Sequence, residues 1–485
     1  MHLSERFLQL SLSKAEFKFF NNKSQLPVKK FFEKNEIEEF SIDSRTIKKN
    51  HLFVALKGEK IDAHQFLEDV LKIGVQICII NKKKEDLLNL IDKKLLQEKL
   101  FILVDDTLSA LKNLAKNWRR QFNYPIVGIT GSIGKTTTKG MFESIVKSAR
   151  YSAYVSYLNQ NTVIGLSLNI LKLSNKYKVG VFELGIDSAG EMDQLVDILK
   201  PDIALITCIS HSHMLGLGGL NNIAKEKRKI FKYFKPDNFG IIFGDQEILD
   251  RFSRNFPMIK FGLKTKNQIQ ARKIKIISGD SDNYEFKIQF VLKVYKAKKT
   301  VYLQGNNLGF VKNALAASAV ANLLNIDIDN IVKGLEKFSS IKNRFEKRTL
   351  KNYQGIVISD CYNANPESMK VALNALGRVE TKNIKIAILG DMLELGSRTT
   401  FWHKNIGRFL HKVGDIDYLI LVGKAAQQIS KTSPLNFKTN CVENWQQAQK
   451  HLENILKYNK NNKAIVLVKA SRGVLLDRLI KEISV

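Results

Sequence analysis

Ile126-Val-Gly-Ile-Thr130-Gly131-Ser132-Ile-Gly134-Lys135-Thr136-Thr137-Thr138 reads as a buried strand that runs into a glycine turn and then a helix. That is the layout of a phosphate-binding loop. Glycines let the backbone curl so that its N–H groups point inward, and the start of a helix adds partial positive charge. Lys135 is placed to reach the β and γ phosphates, and the Thr136 hydroxyl to hold Mg²⁺. Ile129 stands where the general pattern has a glycine, so the loop is of the shorter Thr-Gly-x-x-Gly-Lys-Thr form. ATP is the implied ligand, with Thr130, Gly131, Ser132, Gly134, Lys135, Thr136 and Thr137 as the candidate binding set. The plainer alternative is a strand-turn-helix with a chance Gly-Lys-Thr.

Downstream of Pro125 the chain alternates strand and helix. The apolar runs Val179–Leu184, Ile203–Cys208 and Phe239–Phe243 predict a mostly parallel sheet with helices on both faces. Between Lys264 and Leu303 polar and apolar residues alternate without helical period, which predicts an antiparallel extension. An alanine-rich helix from Asn313 through Leu324 follows. Upstream, Asn50–Gly58, Val75–Ile80 and Phe101–Asp106 are strand candidates of a small α/β domain, with a helix from about Leu108 to Phe122. Past Arg344, strands at Ile356–Asp360, Ile384–Leu389, Tyr418–Val422 and Ala464–Lys469 predict a Rossmann-like unit. It lacks G-x-G-x-x-G, so no dinucleotide is implied. The expected fold class is α/β with three domains: 1–105, 106–338 and 339–485.

At 485 residues the chain is too long for one hydrophobic core, and about three domains are expected at roughly 150 residues each. Its 44% hydrophobic and 26% charged residues are those of a globular protein. No stretch approaches the ~18 apolar residues of a membrane span. The start, Met1-His-Leu-Ser-Glu-Arg-Phe7, lacks the basic and apolar regions of a secretion signal. A cytoplasmic enzyme is expected. The four cysteines, Cys78, Cys208, Cys361 and Cys441, form no C-x-x-C pair and read as reduced thiols. The net charge of +30 invites a nucleic-acid reading. Its lysines are spread along the whole chain, however, and no aromatic-interleaved basic face or zinc-finger spacing occurs. Diffuse positive charge attracts acidic ligands such as nucleotides and sugar diphosphates.

Glu183 ends the strand after the phosphate-loop helix, where a carboxylate can hold Mg²⁺. His211-Ser-His213 follows the next strand. A second metal site needs oxygen donors, and Lys225-Glu226-Lys227-Arg228-Lys229 supplies mostly cations. A lysine carbamylated by CO₂ would be a suitable anionic ligand.

Together these residues resemble the Mur ligase family, and the resemblance covers nearly the whole chain. Asp43-Ser44-Arg45, Leu52–Gly58 and Asp62-x-His64-x-x-Phe66 are similar to the family's uridine-nucleotide-binding domain. In the central part, Asn159-Gln-Asn161-Thr-Val-Ile164-Gly165, Glu183 and His213 match its substrate loop and metal positions. The register from His213 makes Lys227 the match to the carbamylated lysine, and Asn313 matches the asparagine that contacts adenine. Asp360-Cys-Tyr362-Asn363-Ala-Asn365-Pro366-Glu-Ser368-Met369, Leu389–Gly396 and Lys469-Ala-Ser471-Arg472-Gly473 are similar to motifs of the member that adds D-alanyl-D-alanine. The tripeptide-forming relative would carry Tyr-Ala-His-x-Pro and Asp-Asn-Pro-Arg, and this chain has neither. It departs from the family pattern at Gly185-Ile-Asp187-Ser188, at Leu215 and at Asn307-Leu308-Gly309.

The resemblance implies ATP-driven amide formation between UDP-N-acetylmuramoyl-tripeptide and D-alanyl-D-alanine, with ATP and two Mg²⁺. Its implied catalytic residues are Lys135, Lys227, His213 and Arg344. Asn313, Arg344 and Asp360 join the ATP set, with Arg344 at the γ phosphate and Asp360 at the ribose. Ser44, Arg45, Asn159, Asn161, Asn363 and Asn365 would contact substrate. Thr136, Glu183, His213 and carbamylated Lys227 would bind metal. A monomer with no specific nucleic-acid partner is expected. The rival readings are another Mur-type or folylpolyglutamate ligase, and a P-loop kinase or NTPase that forms no amide.

Overall fold

The computed structural model describes residues 4–20, 37–157, 160–212, 214–278 and 286–485. The chain divides into two compact units: Met1–Ile126, Ala153–Leu184 and Asp193–Pro201 form the first, and Val127–Ser152, Gly185–Met192 and Asp202–Val485 the second.

In the first unit, β1 (Glu16–Phe20), β2 (Glu39–Ser41), β3 (His51–Val54), β4 (Ile77–Asn81) and β5 (Lys99–Val104) make a sheet of order β1-β5-β4-β3-β2. All neighbours are parallel except β1 and β5. Strands covered on both faces read as continuous apolar runs, and Ile77-Cys-Ile-Ile80 is buried throughout. Phe53, Val70, Leu71, Ile80, Phe101 and Leu103 pack on one face. The helix Thr107–Arg119 starts where Asp106 accepts hydrogen bonds from the Leu108 and Ser109 amides, the capping role expected of a short acid.

β6 (Ile126–Thr130) belongs to the first unit only by its first residue, while β7 (Ala153–Val155) and β8 (Val179–Glu183) pair in parallel within it. In the second unit β6 lies beside β9 (Ile203–Ile206), followed by β10 (Phe239–Phe243), β11 (Met258–Gly262), β12 (Ile269–Ser278), β13 (Phe286–Val294) and β14 (Ala297–Gln304). The run from β6 to β12 is parallel. β12 to β14 are antiparallel, as the alternating pattern predicts: Ile288, Phe290, Leu292 and Val294 point inward from β13. The helix Gly309–Leu323 is buried almost all round. It packs on the helix Lys135–Ser148, as does Ile328–Glu336, where a Cβ on Gly334 would collide with the Ile145 backbone.

The same unit contains a third sheet: β15 (Glu346–Thr349), β16 (Gly355–Asp360), β17 (Ile384–Gly390), β18 (Tyr418–Val422), β19 (Lys438–Val442) and β20 (Ala464–Lys469), in the order β15-β16-β20-β17-β18-β19. Only β15 is antiparallel. Val357, Ile386, Ile388, Ile420, Val466 and Leu479 form its core. Lys469 lies opposite both Asp360 and Leu389, so β16, β17 and β20 end at one level. The three carboxy-terminal motifs leave the sheet there. The architecture is the expected α/β fold, with parallel-rich sheets in three groups.

Candidate active site

The phosphate-type loop is built by the end of β6. Gly131 takes φ 145° and Gly134 φ 88°, conformations open to glycine and strained for other residues. Space enforces the same choice. A Cβ on Gly131 would collide with Thr207 Oγ1, and one on Gly134 with Asn313 Oδ1. Thr207 also braces the loop by donating from its amide to the Thr130 carbonyl at 2.9 Å and from its hydroxyl to the Ile133 carbonyl at 2.6 Å. Ser132 N–H donates to the Cys208 carbonyl at 2.8 Å. The helix Lys135–Ser148 then opens on Gly134, which lays no side chain over the first turn. The Lys135 ammonium folds back onto the loop and donates to the Gly131 carbonyl at 2.7 Å. This is a rigid cradle with a cation on its rim, suited to phosphate oxygens. Gly131→Ala is expected to weaken ATP binding by about tenfold or more, from ~1–3 kcal/mol of backbone strain plus the Thr207 collision. Titration with a fluorescent ATP analogue checks this, and unchanged affinity with native circular dichroism would refute it.

Lys227 sits on the helix Leu220–Arg228, and the fold separates it from its basic neighbours. Lys225 is exposed. Lys229 pairs with Glu226 at 2.7 Å, whose other oxygen accepts the Gly190 amide at 2.8 Å and the Met192 amide at 3.3 Å. Lys227 is 0% exposed, and its Nζ has no hydrogen-bond partner among the described residues. Burial, and then the positive charge of Lys135, hold its pKa well below the usual lysine range, against the weaker pull of Cys208, Asp187 and Glu226. Both influences favour the uncharged amine over the ammonium.

Asn313 lies against this loop, with Thr138 Oγ1 3.5 Å from its Oδ1. Arg344 occupies a tight turn between Asn343 (φ 58°) and Phe345 (φ 56°), its guanidinium 4.0 Å above the Tyr362 ring. Asp360 has partners of its own: Lys469 Nζ at 2.6 Å and the Phe345 amide at 3.1 Å. Lys469, buried, also donates to the Asn363 carbonyl at 3.1 Å. Asn365 caps the helix Pro366–Gly377 in a reciprocal box with Ser368, and Asn363 Oδ1 accepts the Ala364 amide at 2.8 Å. Ser471 ties the motifs together, donating to the Ala364 carbonyl at 3.3 Å and accepting the Leu393 amide at 3.0 Å. Burial pushes the Cys361 thiol up to about 11, so it supplies no thiolate nucleophile at neutral pH.

In the first unit, Glu183 closes β8 at 1% exposure, and its Oε1 accepts a hydrogen bond from the Asn161 side-chain Nδ2 at 2.9 Å. Arg45 reaches outward at 85% side-chain exposure, forked onto Asp43 at 2.9 and 2.7 Å. Its hydrogen bonds hold the Asp43 carboxyl down at about 2. Ser44 lies between them, half-buried. His64 is buried, with Nδ1 2.6 Å from Asp62 Oδ1 and Nε2 accepting the Asn81 amide at 2.9 Å. That motif therefore pins the fold. Asn159 and His213 lie outside the described residues, among which no group of three or more His, Cys, Asp or Glu could hold a metal. Sequence reasoning missed Thr207 and Gln246. Gln246 exchanges hydrogen bonds of 2.8 Å with both backbone groups of Ile209. Their only signal is a polar residue just past an apolar strand.

Two family models match the chain: the Mur ligase middle domain over residues 129–321, and the Mur ligase glutamate ligase domain over 343–472. The UDP-N-acetylmuramoyl-tripeptide--D-alanyl-D-alanine ligase of Bacillus subtilis (strain 168) is 31% identical over 453 residues, covering 93% of this chain and 94% of that one. Among solved structures, MurF from Acinetobacter baumannii superposes with a TM-score of 0.83 at 27% identity, over 99% of this chain and 98% of that chain. MurF ligase from Thermotoga maritima in complex with ADP gives 0.76 at 25% identity, over 92% and 96%. With two domain models in sequence order and a full-length relative of this identity, the chain belongs to the Mur ligase family.

Proposed function

We propose that this chain is an ATP-dependent, ADP-forming ligase that joins D-alanyl-D-alanine to UDP-N-acetylmuramoyl-tripeptide in peptidoglycan precursor synthesis. The observation that carries this reading is the full-length similarity to ligases of that name, whose characteristic motifs here share the carboxyl edge of one sheet. The thiols and the ATP requirement suit the cytoplasm, and no described helix is long and apolar enough to cross a membrane. The enzyme is expected to act as a monomer.

Two features of the described residues support this reading. The glycine cradle, closed to any Cβ by Thr207 and Asn313, suits the phosphates of ATP. Thr136, Glu183, His213 and Lys227 are assigned to two Mg²⁺, an oxygen-rich donor set once Lys227 is a carbamate. The Nζ of Lys227 has no hydrogen-bond partner among the described residues and its pKa is lowered by burial, which favours the lone pair that carbamylation requires. Bound Mg²⁺ would neutralise charge on the transferring phosphoryl group.

Lys135 and Arg344 hold the γ phosphate in line with the tripeptide carboxylate, whose oxygen attacks phosphorus as the bond to ADP breaks. The dipeptide amine then attacks the acyl phosphate carbon. The amide forms, phosphate leaves with the bonding pair, and the amine proton passes to solvent or base. Asn313 is assigned to adenine and Asp360 to the ribose. Ser44 and Arg45, with Asn159, Asn161, Asn363 and Asn365, are assigned to substrate.

The test is ADP release assayed with each acceptor omitted in turn. Turnover is expected only when the UDP-sugar tripeptide and the dipeptide are both present, and ATP hydrolysis indifferent to the dipeptide would overturn the proposal. Comparing lysine-containing with diaminopimelate-containing tripeptide settles the third residue.

A further inference from the structure

Residues 209–212 and 214–217, on either side of position 213, are gripped from two sides. Gln246 holds Ile209 by the paired 2.8 Å hydrogen bonds, and Ser132 of the phosphate loop donates to the Ser210 carbonyl at 3.3 Å. The other grip comes from the module that follows β15. His211 Nδ1 lies 2.7 Å from Glu367 Oε1, and its ring packs on Trp402 with centroids 4.4 Å apart. Leu215 N–H donates to the Glu394 carbonyl at 3.2 Å. Glu367 is itself fixed, being the second residue of a helix locked by Pro366 and the Asn365–Ser368 box. Its Oε2 and the Trp402 Nε1 are buried without a hydrogen-bond partner among the described residues. A contact that served stability alone would be made better by apolar side chains, because each orphaned polar atom costs free energy.

We propose that Glu367 is a positioning residue: through His211, whose ring packs on Trp402, it sets residues 209–212 in register with the phosphate loop. The kinetic part rests on the ligase reading above, whereas the structural part does not. A displacement of about 1 Å at a reacting centre costs up to ~100-fold in rate. Glu367→Ala is therefore expected to lower kcat by about ten- to a hundredfold while the KM for ATP moves less than about threefold. Glu367→Gln keeps an acceptor for the His211 ring N–H and should recover most of the rate. Glu367→Ala combined with His211→Ala should be no slower than the slower single variant, because both remove one contact. Hydrogen exchange on the ligand-free protein supplies a readout independent of activity. Peptides covering 209–217 should exchange faster in Glu367→Ala, while those of β16 and β20 stay protected. Unchanged exchange at 209–217, or losses that multiply in the double variant, would overturn the proposal. If the wild type shows no dipeptide-dependent ADP release, the ligase reading fails, and the exchange result alone decides the role of Glu367.

Discussion

Lys227→Ala is expected to remove most of the dipeptide-dependent ADP release, by at least about a hundredfold or ~2.7 kcal/mol, and a short carboxylic acid supplied in solution to restore part of it. The expectation follows from burial. Lys225, Lys227 and Lys229 lie within one helical stretch, yet only Lys227 is both fully buried and without a hydrogen-bond partner for its Nζ among the described residues. Desolvation, and then the charge of Lys135, favour its uncharged form more than in an ordinary exposed lysine. The lone pair of the uncharged amine can bond the carbon of CO₂, and loss of an N–H proton would leave a carbamate, an anion with two oxygen donors in place of a neutral nitrogen. The sign of the linkage gives an independent check. Between the depressed native pKa and the ordinary unfolded value the unfolded chain binds one more proton, so stability rises with pH across that window and the penalty is fully present below it. Lys227→Met removes the penalty. In CO₂-free buffer near neutral pH it should melt above the wild type while remaining inactive. Undiminished turnover of Lys227→Ala would refute the role, and a lower melting temperature for Lys227→Met would contradict the unpaired amine.

Much of this is legible in the sequence because the strands that position the site are the buried ones. β4, β6, β9, β16, β17 and β20 are apolar runs bounded by glycine or polar residues, and their patterns place each within two or three residues. Short edge strands such as β1, β2, β15 and β19 are not legible in the same way, since their pairing depends on a neighbour rather than on their own pattern. The basic helix is ambiguous for another reason: among Lys225, Lys227 and Lys229 periodicity favours none, and only the family register points to Lys227. Asp360 illustrates the non-local remainder. Its partner Lys469 arrives through the pairing of β16 with β20, a contact between residues 109 positions apart. Asn365 shows the opposite case, since Asn-Pro-Glu-Ser is a helix-start signature readable from sequence and its cap is what the fold displays.

In Lys135→Ala the phosphoryl-transfer step should slow by about a hundred- to a thousandfold, or ~3–4 kcal/mol, with circular dichroism unchanged. Lys135 begins its helix and its ammonium rests on the Gly131 carbonyl at 2.7 Å, so its charge sits on the cradle before any ligand arrives and little reorganisation is needed during reaction. The same charge acts on Lys227. While Lys227 is an amine, Lys135 disfavours its protonation and keeps the lone pair available. Were Lys227 carbamylated, as proposed, Lys135 would attract and stabilise the anion. On the proposed mechanism, removing Lys135 should harm the site twice: the transferring phosphate would lose a counter-charge, and Lys227 would shift toward an ammonium, which neither binds CO₂ nor holds metal. The two substitutions should consequently be non-additive, with Lys135→Ala/Lys227→Ala losing less than the product of the single losses. Raised bicarbonate should rescue part of the Lys135→Ala defect and none of the double variant's. A single-variant loss below about 1.4 kcal/mol, which is tenfold, would mean that another cation neutralises the phosphate, and strictly multiplicative losses would mean that Lys135 and Lys227 act apart.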